Sequence, residues 1–197
     1  MAQNADSDWI LQKLARPAPM RTDFVEVRDS PLLKAPLRLS GEYRRPDADT
    51  LVREVRAPYA ETTTITTGGN GPGKATIARA GRSPRTFSLA RVPELAALQA
   101  SFGALLAGDR KQLQRHYRIQ ASGTRQQWTL LLTPAEQALA GSVRDITLCG
   151  RGAELRCIET RPAQSAQVQR TLLASAARSA QPAMDGKALA ALCRQGD

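Results

Sequence analysis

Aromatic residues make up only 4% of this sequence, histidine occurs once and cysteine three times. Each scarcity excludes something. With so few rings, no basic segment is interleaved with aromatics that could stack on bases, and nucleic acid is not an expected partner. One histidine and three cysteines, with no C-x-x-C pair, do not make a zinc site, and no metal is expected. No apolar window reaches the roughly 18 residues of a membrane-spanning helix. Residues 1–20, MAQNADSDWILQKLARPAPM, lack the apolar core of a secretory signal, so the chain read literally is cytoplasmic. A leader already removed from a mature form would overturn that reading. No nucleophile elbow, H-E-x-x-H or D-x-D array accompanies His116, and Asp47 and Asp49 in RRPDADT read as turn residues. No catalytic residue is nominated, no enzyme activity is expected, and no cofactor is implied.

What is present is length and charge. The 197 residues, 42% of them hydrophobic, suffice for one sizeable core, and one domain is expected. A net charge of +10 and an isoelectric point near 10.4 favour acidic partners. The charge is scattered arginine with no run of five basic residues, which fits a solvated face better than a binding stripe. A basic, non-catalytic binding module for lipopolysaccharide, anionic lipid or nucleic acid is the alternative function that this composition leaves open.

The hydrophobic pattern changes period along the chain. Ser7 or Asp6 can cap a short helix in DWILQKLAR, whose Ile10, Leu11 and Leu14 fall at helical spacing before Pro17. Period-two segments follow: TDFVEVRD, then PLRLSGEYR with Leu37, Leu39 and Tyr43 on one face, then TLVREVRAP, ETTTITT, KATIARAG and PRTFSLAR. Turn residues at short intervals predict an antiparallel meander with one wet face. From Pro93 to Ala107 the pattern is helical, with Leu95, Leu98, Phe102 and Leu105 on one side, and DRKQLQRHY adds a turn or two capped by Asp109. Strands resume in HYRIQAS, QQWTLLLTP, VRDITLCG, ELRCIETR and AQVQRTLLAS, and a short helix is expected from Asp185. The helices would cover the apolar side of the sheet incompletely and leave an apolar concavity.

One stretch imitates a phosphate-binding loop. GGNGPGK needs Ser or Thr after Lys74 to hold a metal, and Ala75 stands there. The strand-like ATIARAG follows where a helix is required, so the glycines read as a hairpin loop. Cys149 and Cys157 flank GRGAELR and would lie opposite each other in a hairpin centred on Ala153, which makes a cross-strand disulfide conceivable beside the simpler reading of two buried small hydrophobes.

The order of these segments resembles the periplasmic lipoprotein carrier family LolA, in a divergent branch associated with lipid-linked aryl polyene pigment gene clusters. The resemblance rests on SDWILQKLAR, on the Phe-led strand before PLRLSGEYRRP, on APYAETTTI, on LARVPELAALQASFGALLAGDRKQLQRHYRI, and on WTLLLTP and VRDITLCGRG, roughly residues 7–160. It implies a mainly β fold: an open, incomplete antiparallel β-barrel with covering α-helices on its apolar concave face. The implied organisation is a flexible amino terminus over 1–6, a single half-barrel domain over 7–176, and a carboxy-terminal tail over 177–197. The implied function is a periplasmic carrier, in its mature form and monomeric, that shields the acyl chain of a lipoprotein or lipid-linked polyene between an inner-membrane donor and an outer-membrane acceptor. The cavity and lid would be formed by Ile10, Leu14, Leu37, Leu39, Leu95, Leu98, Phe102 and Leu105. Arg45 of RRP matches the family's lid-holding arginine, with Arg44 as its competitor.

Overall fold

The computed structural model describes residues 3–28, 32, 34–92 and 102–195. Every segment with the strand period forms a strand: β1 Met20–Arg28, β2 Leu37–Arg45, β3 Thr50–Ala57, β4 Glu61–Thr66, β5 Lys74–Arg79, β6 Arg85–Ser88, β7 Tyr117–Gly123, β8 Trp128–Pro134, β9 Val143–Arg151, β10 Glu154–Pro162 and β11 Gln169–Leu173. They join in one sheet of order β6-β5-β4-β3-β2-β1-β11-β10-β9-β8-β7. Within β1–β6 and within β7–β11 consecutive strands pair antiparallel, and β11 returns to lie antiparallel to β1, which joins the two meanders. β6 and β7 remain as edges, so the sheet is an open barrel that does not close. GGNGPGK is the β4–β5 connection, with Gly68, Gly69 and Gly73 at positive φ and Lys74 opening β5.

Alternation assigns the faces. The inner face carries Phe24, Leu39, Val55 and Leu173 in one half and Trp128, Leu130, Ile146 and Leu148 in the other. α1, Ser7–Leu14, lies against the second group and buries Ile10, Leu11 and Leu14. Asp6 caps it, accepting from the Trp9 N–H at 2.8 Å. Residues 102–107 are helical and add Ala104 and Leu105 to the same core. α2, Arg110–His116, is capped by Asp109 and adds Leu113. A single helical turn, α3 Gln137–Ala140, follows β8.

The outer face differs from expectation. The alternation predicts a wet face, yet Phe24, Val25, Glu26 and Val27 of β1 are all buried. The cause is at the carboxy terminus. α4, Ala174–Ser179, and α5, Gly186–Gln195, fold back over the outside of β1 and β11, where Val25, Val27 and Leu172 pack against Ala176, Ala177 and Leu189. A strand covered on both faces loses its alternation. The segment from 177 that reads as a tail is thus part of the fold, held by Arg38, which donates to the carbonyls of Ala180 and Gln181 at 2.8 Å each, and by Gln127, which donates to the Arg194 carbonyl at 2.8 Å. At the other end, residues 3–6 are also engaged: Asn4 bridges Thr124, and the Ala5 N–H donates to the Gly123 carbonyl at 3.1 Å.

Candidate functional site

A cavity of about 370 Å³ lies where α1 and the helical residues 102–107 meet the inner face. Leu14, Phe102, Leu105 and Leu106 line its helical side, whereas on its sheet side Met20, Leu155 and Leu173 stand beside Arg21, Thr22, Asp23, Glu42 and Glu154. Its volume is at the lower end of the roughly 300–1,000 Å³ typical of small-molecule sites.

Local sequence sets the position of these helices. Gly108, with φ of +67°, ends the helical stretch, and a Cβ there would stand 3.2 Å from Ala15 Cβ and 3.3 Å from the Leu11 carbonyl oxygen. The left-handed backbone angle favours glycine, and the close approach to α1 adds to that preference. The Arg16 N–H donates to the Leu106 carbonyl at 2.8 Å and ties the end of α1 to the helical residues 102–107. Arg45, the last residue of β2, donates from Nη1 to the Arg16 carbonyl at 3.3 Å and from Nη2 to Ala48 at 3.4 Å. Arg44 points to the outer face and pairs with Glu54 at 3.0 Å.

Of the residues expected at the cavity, Leu14, Phe102 and Leu105 line it. Ile10 and Leu39 are buried in the two inner-face clusters and Leu37 packs against the second of these, so the three belong to the core beside the cavity. Leu95 and Leu98 lie outside the described residues.

The inner face also holds a polar cluster that sequence reading missed. Glu26, 2% exposed, accepts from Arg53 at 2.8 Å, from Gln169 at 2.9 Å and from Arg28. The Arg53 guanidinium sits 5.1 Å from the centroid of the Phe24 ring. Phe24, Tyr43 and Phe102 form a run of rings with centroids 4.7 and 6.1 Å apart, which joins sheet to helix. Burial pushes the Tyr43 hydroxyl above its ordinary range, against the pull of Arg53. Burial disfavours the Arg53 charge, but Glu26 and Tyr43 together outweigh it and hold the guanidinium more firmly protonated. The signal was available, since Glu26 is in phase with Phe24, and Arg53 with Val55.

On the outer face the cysteines correct an expectation. Cys149 and Cys157 are opposite each other in the β9–β10 ladder, helped into register by an irregularity between Leu155 and Cys157. The bond, however, joins Cys157 to Cys193 of α5, and Cys149 stays free and buried. The sequence signal considered only the hairpin, whereas α5 brings a third sulfur over the same spot. Burial first, and then the Glu159 charge, push the Cys149 thiol up. Glu159 is 5% exposed. Arg194 of α5 holds it bidentately at 2.9 and 3.0 Å, and Arg170 of β11 reaches it at 3.3 Å. Burial works against its charge, and the two arginines overcome this and hold the carboxyl below its usual range. Cys149, Glu159 and Cys193 have ligand atoms within 4.8 Å of one another. With one sulfur in a disulfide and the carboxylate already between two arginines, this donor set does not suit a cation.

His116 Nδ1 lies 2.9 Å from Glu136 and lines no cavity described above. No helix among the described residues is long and apolar enough to cross a membrane.

Comparison with known proteins places this architecture. The family described as outer membrane lipoprotein carrier protein LolA-like matches residues 1–196. Among solved structures, the chain is similar to a LolA superfamily protein of Nitrosomonas europaea, at 10% identity over 87% of this chain and 92% of that one, with a TM-score of 0.42. It is also similar to LprF of Mycobacterium bovis, at 13% identity over 89% and 94% of the two chains, with a TM-score of 0.36. Among curated sequences there is no match.

Proposed function

The chain belongs to the LolA-like family of outer membrane lipoprotein carriers, and we propose that it is a non-catalytic periplasmic carrier that shelters an acyl chain in the cavity between sheet and helices and passes it from an inner-membrane donor to an outer-membrane acceptor. One observation carries the reading: a cavity of about 370 Å³ between an open sheet and helices, edged by Leu14, Phe102 and Leu105. The protein acts as a monomer, and its cargo is a lipid-modified protein or a lipid-linked product such as a polyene.

The energetics suit carriage. Burying acyl chain yields about 0.8 kcal/mol per methylene, so a dozen methylenes yield on the order of 10 kcal/mol before association costs. Cargo release requires the helices to move off the inner face. Arg45 then acts as the holding contact, because its bond to Arg16 must break when α1 lifts away.

Titration with a fluorescent acyl probe whose head group is uncharged tests the reading. Binding with a micromolar or tighter constant that changes little between low and high salt supports it, since burial of an apolar chain is only weakly screened. Phe102→Arg, at a partly buried position outside the main core cluster, is expected to weaken binding about tenfold or more with the fold intact by circular dichroism. Binding that collapses with salt and ignores Phe102→Arg would contradict carriage and favour a basic surface module.

A further inference from the structure

The sheet has a gap in it. β1 and β10 are nine residues long, but β11 between them has five. Its ladders cover only Phe24–Val27 on β1 and Cys157–Thr160 on β10. Met20–Asp23 and Glu154–Leu155 therefore face each other with no strand between. The chain leaves the sheet at Ala174, whose φ of +49° turns it outward into α4. α4 then bridges the gap on the outer side. Ser175 donates to Glu154 of β10, Arg156 donates to Ser175 at 2.9 Å, and Arg178 lies 3.8 Å from Asp23 of β1.

The cavity runs through this gap. Its lining includes inner-face and helical residues such as Leu105 and Leu173, together with Arg21, Asp23 and Arg178, which alternation and contacts assign to the outer side. Charge is distributed unevenly along it. The three carboxylates at the outer end are each matched: Asp23 by Arg178, Glu154 by Ser175 and Arg156, and Glu42 by Arg44 and Arg56. Arg16 and Arg21 also line the cavity, and neither side chain makes an ion pair among the described residues. The cavity is thus apolar along its helical side, and Arg16, just past α1, and Arg21, on the outer side of β1, are lining cations that no carboxylate matches among the described residues.

We propose that the gap beside β11 is a second mouth of the cargo cavity, and that it seats the anionic head group of an acyl amphiphile, a phosphate or carboxylate, against Arg16 and Arg21. The acyl chain runs inward beneath Phe102 and Leu105. This rests on the carrier reading and adds to it a preference for charge at the head. A guanidinium pair suits such a group through charge-assisted hydrogen bonds. The matched carboxylates keep the mouth from repelling it.

The test compares lysophosphatidic acid with a monoacylglycerol of the same chain, by competition against a fluorescent acyl probe. The phosphate amphiphile is expected to bind at least about tenfold tighter. In Arg16→Gln/Arg21→Gln the ratio of the two affinities should fall towards one. Ala153→Trp, at an exposed lip of the gap, should reduce it as well. A preference that survives both variants, or that is absent from the wild-type protein while both amphiphiles bind, overturns the head-group site and leaves carriage standing. If inorganic phosphate alone removes the preference at submillimolar concentration, the site is one for free phosphate and the head-group assignment fails. If neither amphiphile binds, the carrier reading itself fails.

Discussion

Arg45 and Arg16 meet through a single hydrogen bond, from the guanidinium at the end of β2 to the main-chain carbonyl just past α1, 3.3 Å away. That contact crosses the boundary between the sheet and the helices over it. Arg45→Ala removes this bond and the one to the Ala48 carbonyl, both long and exposed, and is expected to lower stability by only about 1 kcal/mol, while raising the release rate of a bound acyl probe severalfold. Arg44→Ala removes outer-face ion pairs to Glu54 and Glu42 and should leave the release rate of an acyl probe with an uncharged head at the wild-type value. Stopped-flow release with both variants checks this, and equal effects would contradict it.

Cys157 and Cys193 close a loop with a sequence separation of 36. By chain entropy the link contributes about 3–4 kcal/mol, so Cys193→Ser should lower the denaturation free energy by that order. Peptide mapping should find the 157–193 pair. Without reductant, one thiol per molecule, that of Cys149, should react with iodoacetamide rapidly only after unfolding, because burial keeps it protonated.

Glu159 sets an acid limit. Its carboxyl is held lower in the folded protein than the roughly 4.3 of an unfolded chain. Its contribution is therefore complete above about pH 4.3 and is lost as pH falls through the lower folded value. Glu159→Gln should cost on the order of 1–3 kcal/mol at neutral pH and flatten the stability profile below about pH 4.3. Urea melts from pH 3 to 7 on both proteins read this directly.

Ala174 occupies a left-handed conformation at the outward turn from β11. That conformation costs a non-glycine residue roughly 1–2 kcal/mol, and glycine's greater unfolded-state entropy offsets about half. Ala174→Gly should stabilise the protein by ~0.5–1 kcal/mol, measured by denaturant titration. A destabilisation would show that the turn is not strained as described.

The strands were legible where one face stays open, as in β7 and β8, which alternate cleanly, and Asp6, Asp109 and Gly108 mark helix ends by chemistry that acts locally. Arg45 was singled out only through resemblance, and its contact with Arg16 needs the third dimension. What the sequence hid was long-range. Cys193, Arg194 and Leu189 sit in an Ala-rich segment that reads as a tail, and nothing nearby announces that they fold over β10 and β11. Glu26 and Arg53 look like ordinary solvated residues until the two strands bring them into one buried cluster. The gap beside β11 follows from a difference in strand length, which boundary readings are too coarse to see.

Native mass spectrometry of the protein, purified gently from cells of its source, tests the central claim most directly. The carriage account predicts a population heavier by the mass of one acyl-bearing molecule, released on denaturation and depleted in Phe102→Arg. The bare polypeptide mass alone, together with no uptake of an acyl amphiphile from added vesicles, would contradict it.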